Sequence, residues 1–282
     1  MKLLLDTDIG NDIDDAVALA YLLQKRECNL IGITTVTGEA QKRAALCEIV
    51  CRASGREDIL IHCGLENALA NGPGQPTPHH YEAVKHLPHR LDRPENTAVN
   101  FLRETIRANP NEITLLSIGP LTNIAGLFAT DPEIPFLLKG FVSMAGAFFP
   151  PIDYAEWNIK CDPVAAAIVY GAQKLSHRSI GLDVTMKCQM PAEEVRERFT
   201  GEPLATVALM AEHWFQHSKA LTFHDPLAAA TIFKPELCTY QTGQVTSDPN
   251  TAVTSFTPGV GADEVAEVVD RESFFTEFFS VF

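Results

Sequence analysis

The chain is poor in basic residues. Lys and Arg together account for 22 of its 282 residues, whereas Asp and Glu account for 36, so the formal net charge is −14. Such a surface repels a phosphate backbone or an anionic membrane, and no run of Lys or Arg could line a basic groove. We therefore expect neither nucleic acid nor a membrane as a partner. A neutral small molecule or a metal cation is compatible with this charge.

Long apolar runs and closely paired cysteines are also missing. No stretch approaches the roughly eighteen apolar residues of a membrane span, and MKLLLD is too short for the apolar core of a signal peptide. The seven cysteines include no C-x-x-C pair, and Cys47 and Cys51 have no histidine pair nearby that would indicate zinc. These features predict a cytoplasmic protein with reduced, mostly buried thiols.

The sequence does contain a regular alternation of short apolar segments and helical patterns over its first two thirds. This alternation is typical of βαβ units, and with 46% hydrophobic residues it predicts one α/β domain spanning residues 1–282. We expect a Rossmann-like, mostly parallel central sheet flanked by helices. The predicted strands are KLLLDT, NLIGITTV, ILIHCG, EITLLSIG, GFVSMAG and SIGLDV. The predicted helices lie at about residues 15–25, 38–54, 95–108, 120–130 and 162–172.

Three further segments depart from this alternation. Residues 64–94 are rich in Pro, Gly, His and Asn and predict a long loop over the sheet edge or the functional site. Residues 191–216 have a continuous helical pattern. After Lys234 the pattern becomes β-like with turns, and RESFFTEFFSVF predicts a closing amphipathic helix. We therefore expect a small antiparallel C-terminal extension and a packed terminal helix.

Five aspartates crowd into residues 6–15, directly after the first predicted strand. Two carboxylates about 4 Å apart repel each other by about 4 kcal/mol at an effective dielectric near 20, so the cluster indicates a bound cation or a catalytic use. In open α/β sheets, ligands bind beyond the carboxyl ends of the strands. This rule places the aspartates, the SIGPLTN turn and the MAGAFF segment around one crevice.

The spacing of the aspartates limits the families that fit. An EF-hand needs Gly at its sixth position and Glu at its twelfth, and counting from Asp6 places Gly10 fifth and Val17 twelfth. A haloacid dehalogenase-like metal-dependent phosphohydrolase would use Asp6 as nucleophile, but Gly10 stands where that family has a hydroxyl or branched residue. A catalytically silent, metal-stabilised binding protein is a third alternative.

The stretch DTDIGNDIDDAVAL, together with FHDPLAAA far along the chain, resembles the inosine–uridine-preferring nucleoside hydrolases. It nearly reproduces their N-terminal motif D-x-D-P-G-x-D-D-A-x-A-L. Further blocks follow in the family's order: GITTVTG, LLSIGPLTNIA, MAGAF, AEWN, DPVAA and GLDVT. The resemblance implies Ca²⁺-dependent hydrolysis of the N-glycosidic bond of ribonucleosides to free base and ribose. It also implies a homodimer or homotetramer.

The resemblance assigns roles to individual residues. Asp8 is implied as the general base that takes a proton from the attacking water, and His224 as the acid that protonates the departing base. The implied Ca²⁺ ligands are Asp8, Asp15, the backbone carbonyl of Ile118, and Asp225. The implied substrate-binding residues are Asp14, Met144, Glu156 and Asn158.

Each of these residues, taken alone, has an ordinary structural explanation. Asp14 and Asp15 would be charges at a helix N-terminus, and Asp225 before Pro226 would be a helix cap. His224 alone would be a structural histidine. By the same reasoning, Met144 would be core and Glu156 a solvated charge. Their joint order along the chain favours the functional interpretation, whereas Asp183 in GLDVT is predicted to be a structural residue at a strand end.

The chain departs from the family pattern in the aspartate motif and in the next loop. Ile9 replaces the proline of the motif, and two extra residues precede the last aspartate pair. We align the pair with Asp14 and Asp15 because AVAL follows them, whereas Asp12 would be the ligand if the insertion lies later. Glu39 replaces an asparagine and would add negative charge near the site.

Further departures lie where the nucleobase would bind. The usual His-Gly segment of the long loop is replaced by GQPTPHHYEAVKHLPHR, so His79 and His80 have no assigned role. Trp157 replaces a more usual phenylalanine, and the segment before AEWN is shortened. The preference for purine or pyrimidine bases therefore stays open.

Overall fold

The computed structural model describes residues 1–70, 72–152, 154–174 and 176–282. Its strands are β1 Lys2–Thr7, β2 Asn29–Thr35, β3 Leu60–Cys63, β4 Ile113–Ser117, β5 Gly140–Met144, β6 His177–Ile180, β7 Gln189–Pro191, β8 Ala220–Thr222, β9 Cys238–Ser247, β10 Thr254–Pro258 and β11 Asp263–Val269. Its helices are α1 Asp14–Gln24, α2 Ala40–Ala53, α3 Tyr81–Val84, α4 Ala98–Ala108, α5 Thr122–Thr130, α6 Ile134–Leu137, α7 Trp157–Cys161, α8 Pro163–Gly171, α9 Leu182–Thr185, α10 Ala192–Arg198, α11 Leu204–Trp214, α12 His224–Phe233 and α13 Arg271–Phe279.

The strands other than β7 and β8 form one sheet in the order β10-β9-β11-β6-β5-β4-β1-β2-β3. Strands β1 to β6 are parallel to their neighbours, and β11 adds to β6 in parallel register. Strand β9 then pairs antiparallel with both β11 and β10. The predicted mostly parallel sheet with an antiparallel C-terminal part is confirmed. The antiparallel strands continue the same sheet because β11 bonds directly to β6.

Strand β1 shows why the sheet lies at the centre of the molecule. Leu3, Leu4 and Leu5 are fully buried. Because side chains alternate along a strand, Leu3 and Leu5 pack into the apolar layer that contains α1, α2 and α12. Leu4 packs into the opposite layer, with α4, α5 and α8. A parallel strand that helices cover on both faces has a continuous apolar sequence, as the three leucines after Lys2 show.

Two predicted elements differ from the structure. The strand predicted over SIGLDV ends at Ile180, and Leu182–Thr185 forms the short helix α9. The chain turns there because Asp183 accepts the N–H groups of Phe148 and Phe149, at 3.0 and 2.8 Å, and ties this segment to the loop after β5. The helical pattern of residues 191–216 is divided into α10 and α11 by a break that contains Gly201 and Pro203.

The helix predicted over RESFFTEFFSVF is present as α13, and it carries a buried carboxylate. Glu277 is 3% exposed and accepts hydrogen bonds from Tyr21 at 2.8 Å, Lys25 at 2.5 Å and Lys234 at 2.7 Å. Burial alone would raise the pKa of Glu277, but these donors outweigh it and hold the pKa below the usual 4.5. Phe278 of the same helix is fully buried beside Tyr21. The C-terminal helix is therefore attached to α1 and α12 by both charge and apolar packing.

Two properties of the described residues bear on the sequence predictions. All the cysteines are free thiols, and only Cys28 is not fully buried. None of the described helices combines the length and apolar character that crossing a bilayer requires.

Substitution of Glu277 by Gln is expected to destabilise the protein by about 3 kcal/mol, because Lys25 would remain buried without its acidic partner. The melting temperature should fall by roughly 6–12 °C at pH 7. Glu212→Gln is the matched control, since Glu212 pairs with Arg196 on the surface and should shift the melting temperature by no more than about 2 °C. The stabilisation by ionised Glu277 is present above pH 4.5 and is lost as the pH falls through the lowered pKa. The melting temperatures of the unmodified protein and Glu277→Gln should therefore converge in acid. Equal melting temperatures at pH 7 would refute a stabilising role.

Candidate active site

A cleft opens at the carboxyl ends of the central parallel strands. Asp8 follows β1, Ile118 follows β4, and Met144 ends β5. Every residue to which the family resemblance assigned a catalytic, metal or substrate role lines this cleft. The strand-end rule had placed the aspartates, the SIGPLTN turn and the MAGAFF segment there. The lining residues are Asp8, Asp12, Asp14, Asp15, Gln75, Ile118, Met144, Glu156, Trp157, Asn158, Leu182, His224 and Asp225.

Three carboxylates converge in the cleft from two helix N-termini. Asp14 and Asp15 begin α1, and Asp225 lies in the first turn of α12. One oxygen atom from each lies within 4.8 Å of the others, and all three side chains are buried. The backbone N–H of Asp225 donates to Asp14 Oδ2 at 3.0 Å, which joins the two helices. Neither helix has a side-chain cap, so Asp225 is not the cap that its position before proline suggested.

This carboxylate set fits a divalent cation. Burial raises the pKa of Asp14, Asp15 and Asp225 well above the ordinary 3.8, and the charge of neighbouring aspartates raises it further. A bound cation would offset both effects, and the all-oxygen donor set matches a hard ion such as Ca²⁺ or Mg²⁺. The set contains Asp14, which the sequence placed at the ribose. It does not contain Asp8, which the sequence placed among the ligands.

Asp8 is held from two directions. Gln75 Nε2 donates to its Oδ2 atom, and Arg43 donates to its backbone carbonyl. Burial raises the pKa of Asp8 to about 6, although the charge of Arg43 acts in the opposite direction. Asp8 is thus a buried carboxylate that is held in a fixed position at the cleft. Asp12 also lines the cleft, and burial raises its pKa to about 6, so both Asp12 and Asp14 are present at the site.

The opposite wall of the cleft is built around Glu156 and Asn158. Glu156 is 3% exposed and accepts N–H groups from Asn158 at 2.7 Å, Ile159 at 3.1 Å and Gly146 at 3.1 Å. It is therefore the N-cap of α7 and not a solvated charge. Burial raises its pKa to about 7. Asn158 Nδ2 donates to the carbonyl oxygens of Ile118 at 3.0 Å and Met144 at 3.1 Å.

His224 begins α12 and turns one ring nitrogen away from the cleft. Its Nδ1 atom lies 2.7 Å from Thr185 Oγ1, and burial lowers the pKa of the ring to about 4. Thr185 had no predicted role, although it lies in the GLDVT block. Its fully buried hydroxyl fixes the orientation of the imidazole.

Several residues considered from the sequence lie outside the cleft. Asp6 is fully buried and accepts Thr34 Oγ1 at 2.5 Å and Asn123 Nδ2 at 2.8 Å. It joins β1 to β2 through Thr34. Because it does not line the cleft, it is not placed to attack a phosphate ester bound there. Glu39 pairs with Lys42 and does not line the cleft. His79 and His80 are also not lining residues.

Gln75 and Leu182 line the cleft without a predicted role. Gln75 belongs to the long loop that was expected over the sheet edge or the site, but no periodicity or motif singles out one residue of that loop. Trp157 is 50% exposed at the cleft, with Lys160 Nζ 5.5 Å from its ring centre. The tryptophan that stands in place of the family's more usual phenylalanine thus adds an accessible aromatic surface to the cleft.

The chain resembles known proteins over nearly its full length. Residues 3–276 match the family model described as inosine-uridine preferring nucleoside hydrolase. The pyrimidine-specific ribonucleoside hydrolase RihA of Citrobacter koseri is 32% identical over 258 residues, covering 85% of this chain and 81% of that protein. Uridine nucleosidase 1 of Arabidopsis thaliana is 28% identical over 262 residues, covering 86% and 77%.

Solved structures agree with these sequence matches. A purine-preferring ribonucleoside hydrolase from Gardnerella vaginalis superposes with a TM-score of 0.81 at 26% identity, covering 100% of this chain and 98% of that one. A plant nucleoside hydrolase shares the fold with a TM-score of 0.85 at 24% identity, covering 99% and 98%.

The resemblance inferred from the aspartate motif and the later blocks is therefore confirmed, and the phosphohydrolase alternative is wrong. The chain belongs to the inosine-uridine preferring nucleoside hydrolase family, whose members hydrolyse the N-glycosidic bond of ribonucleosides.

Proposed function

We propose that this nucleoside hydrolase requires Ca²⁺ and uses Asp8 as general base and His224 as general acid. The observation that supports the proposal is the convergence of both residues with the buried aspartate set in a single cleft. The substrate is a ribonucleoside, and water is the second reactant. The products are the free base and ribose.

The ligands proposed for the ion are Asp8, Asp15, Asp225 and the carbonyl oxygen of Ile118, and Asp14 stands close enough to join them. When bound, a hard dication supplies Lewis acidity that makes water more acidic and orients the hydroxyl groups of the sugar. The carboxylates of this set also keep the cleft negative, which stabilises the positive charge that develops on ribose during cleavage.

Asp8 is suited to accept the proton of the attacking water. Carboxylates serve as general bases in enzymes, and Gln75 and Arg43 hold this one in a fixed position. Its side chain lies at the cleft beside the proposed ribose contacts. We assign those contacts to Asp14, Glu156 and Asn158, which offer paired acceptors and donors, with Met144 against the sugar.

His224 is suited to serve the departing base. Because Thr185 holds Nδ1, the Nε2 atom is the ring nitrogen available for the substrate. Burial favours the neutral ring in the free protein. The acid role therefore requires that the ring is protonated in the substrate complex, and carboxylates that line the same cleft are the charges that would favour this form. Proton transfer from Nε2 to the base nitrogen neutralises the leaving group.

Asp8→Asn and His224→Ala should have different effects on natural and activated substrates. Loss of the base is expected to lower kcat by roughly 10²- to 10⁴-fold on inosine, uridine and p-nitrophenyl riboside alike. Loss of the acid should lower kcat by a similar factor on the two nucleosides but by less than about 10-fold on the nitrophenyl riboside, whose leaving group needs no proton. Steady-state release of base or nitrophenol measures both effects.

Asp92→Asn is the control for these variants, since Asp92 is exposed and pairs with Arg90 on the surface. Its activity should equal that of the unmodified protein. Normal turnover of nucleosides by both Asp8→Asn and His224→Ala would refute the assigned mechanism.

Chelation should abolish turnover and lower the melting temperature, and added Ca²⁺ should restore both. Saturation at about 100 times the dissociation constant stabilises a folded protein by about 2.7 kcal/mol, which corresponds to a melting-temperature rise of roughly 5–10 °C. Asp225→Asn should lose this Ca²⁺-dependent rise because it removes one member of the close oxygen set. The exposed Asp248→Asn should keep it.

A Ca²⁺-dependent rise without turnover of any nucleoside would instead favour a silent, metal-stabilised binding protein. Turnover and melting that are both insensitive to chelation would refute the proposed cofactor.

A further inference from the structure

Part of the long loop, residues 72–80, lies directly on the aspartate motif. A side chain at Gly10 would place its first carbon atom 2.4 Å from Pro78 Cβ, and one at Gly38 would place it 2.6 Å from Pro76. Asn11 Nδ2 donates to the carbonyl oxygen of Thr77 at 2.7 Å. The loop is thus docked so closely on two glycines that its position relative to Asp8 is defined.

A fully buried arginine connects this loop to the motif. Arg43 donates through Nη1 to the carbonyl oxygen of Asp8 and through Nη2 to that of Gln75. Its Nε atom donates to the carbonyl oxygen of Gly38 at 2.8 Å. The N–H of Gln75 donates to Thr37 Oγ1 at 2.7 Å. One rigid guanidinium therefore sets the distance between the backbone of Gln75 and that of Asp8.

The side chain of Gln75 uses this position to reach the carboxylate of Asp8. Its Nε2 atom donates to Asp8 Oδ2, and Gln75 itself lines the cleft. A carboxamide is neutral, so it orients the carboxylate without adding to the negative charge of Asp12, Asp14 and Asp15. Glu39, which stands where the family commonly has a carboxamide residue, turns instead to Lys42.

We propose that Gln75 is a positioning residue for the general base. Its carboxamide holds one oxygen of Asp8 and leaves the other for the attacking water and the proposed ion. Arg43 supports this arrangement from beneath by fixing the backbone of both partners. The inference rests on the proposed function, because it assigns Gln75 a role only if Asp8 is the base of nucleoside hydrolysis.

A different explanation is that Gln75 merely helps to close the loop. Two variants of Gln75 and one of Asn11 separate the two roles. Gln75→Ala removes the donor to Asp8, and Gln75→Glu keeps the shape of the side chain but places a second carboxylate against it. Asn11→Ala removes another tie between the same loop and the same motif, together with a 3.1 Å hydrogen bond from Arg43 Nη1, and leaves the Gln75 donor to Asp8 in place.

The measurements are kcat and KM for inosine and uridine and the melting temperature, each with saturating Ca²⁺. For a positioning role, kcat should fall roughly 10- to 100-fold in Gln75→Ala, as expected for a lost hydrogen bond to a charged group. Gln75→Glu should lose at least as much. In both Gln75 variants, KM should stay within about 3-fold and the melting temperature within about 2 °C of the values of the unmodified protein. Asn11→Ala should keep kcat within about 3-fold of the unmodified value.

Four outcomes would each overturn the inference while leaving the hydrolase mechanism in place. They are full activity of Gln75→Ala, equal losses of kcat in Gln75→Ala and Asn11→Ala, activity retained in Gln75→Glu, and a change confined to KM. Failure of the unmodified protein to hydrolyse any nucleoside would overturn the proposed function and this inference together.

Discussion

Buried negative charge at the carboxyl ends of the parallel strands is the constraint on which the rest of the structure depends. Asp8, Asp14, Asp15 and Asp225 line one cleft and are all almost completely buried. Moving unpaired carboxylates from water into the protein interior costs several kcal/mol for each ion. The fold offsets part of this cost with the N-terminal dipoles of α1 and α12 and with the guanidinium of Arg43. A divalent cation bound among these carboxylates would offset more of it.

Residues with regular patterns were predictable from the sequence. The strands of the parallel sheet were located because apolar segments such as LLL after Lys2 are buried on both faces. The candidate site was then predictable because Asp8, Ile118 and Met144 each stand at the end of such a strand, and those ends lie side by side. The resemblance of the ordered blocks to the family implied the roles of the remaining members, including His224 and Asp225 more than 200 residues after Asp8.

Residues whose position depends on tertiary contacts were not predictable in the same way. Gln75 reaches Asp8 across 67 positions of sequence from a loop without periodicity. Glu156 is a buried N-cap because three backbone N–H groups surround it, and no local pattern distinguishes such a carboxylate from an exposed one. The turn at Leu182 follows from the contacts of Asp183 with another loop, which overrode an extended pattern.

The hydrogen bond between Asp14 and the N–H of Asp225 joins residues that are 211 positions apart. At about 5–20 residues per second, roughly 10–40 s of synthesis separate the emergence of the two. During that interval the N-terminal aspartates remain hydrated, so their mutual repulsion stays small. The low-dielectric environment that strengthens this repulsion is completed only when α12 packs against α1, late in the growth of the chain. The contact between Asp14 and Asp225 can therefore form only after strands β1 to β6 of the parallel sheet have been synthesised.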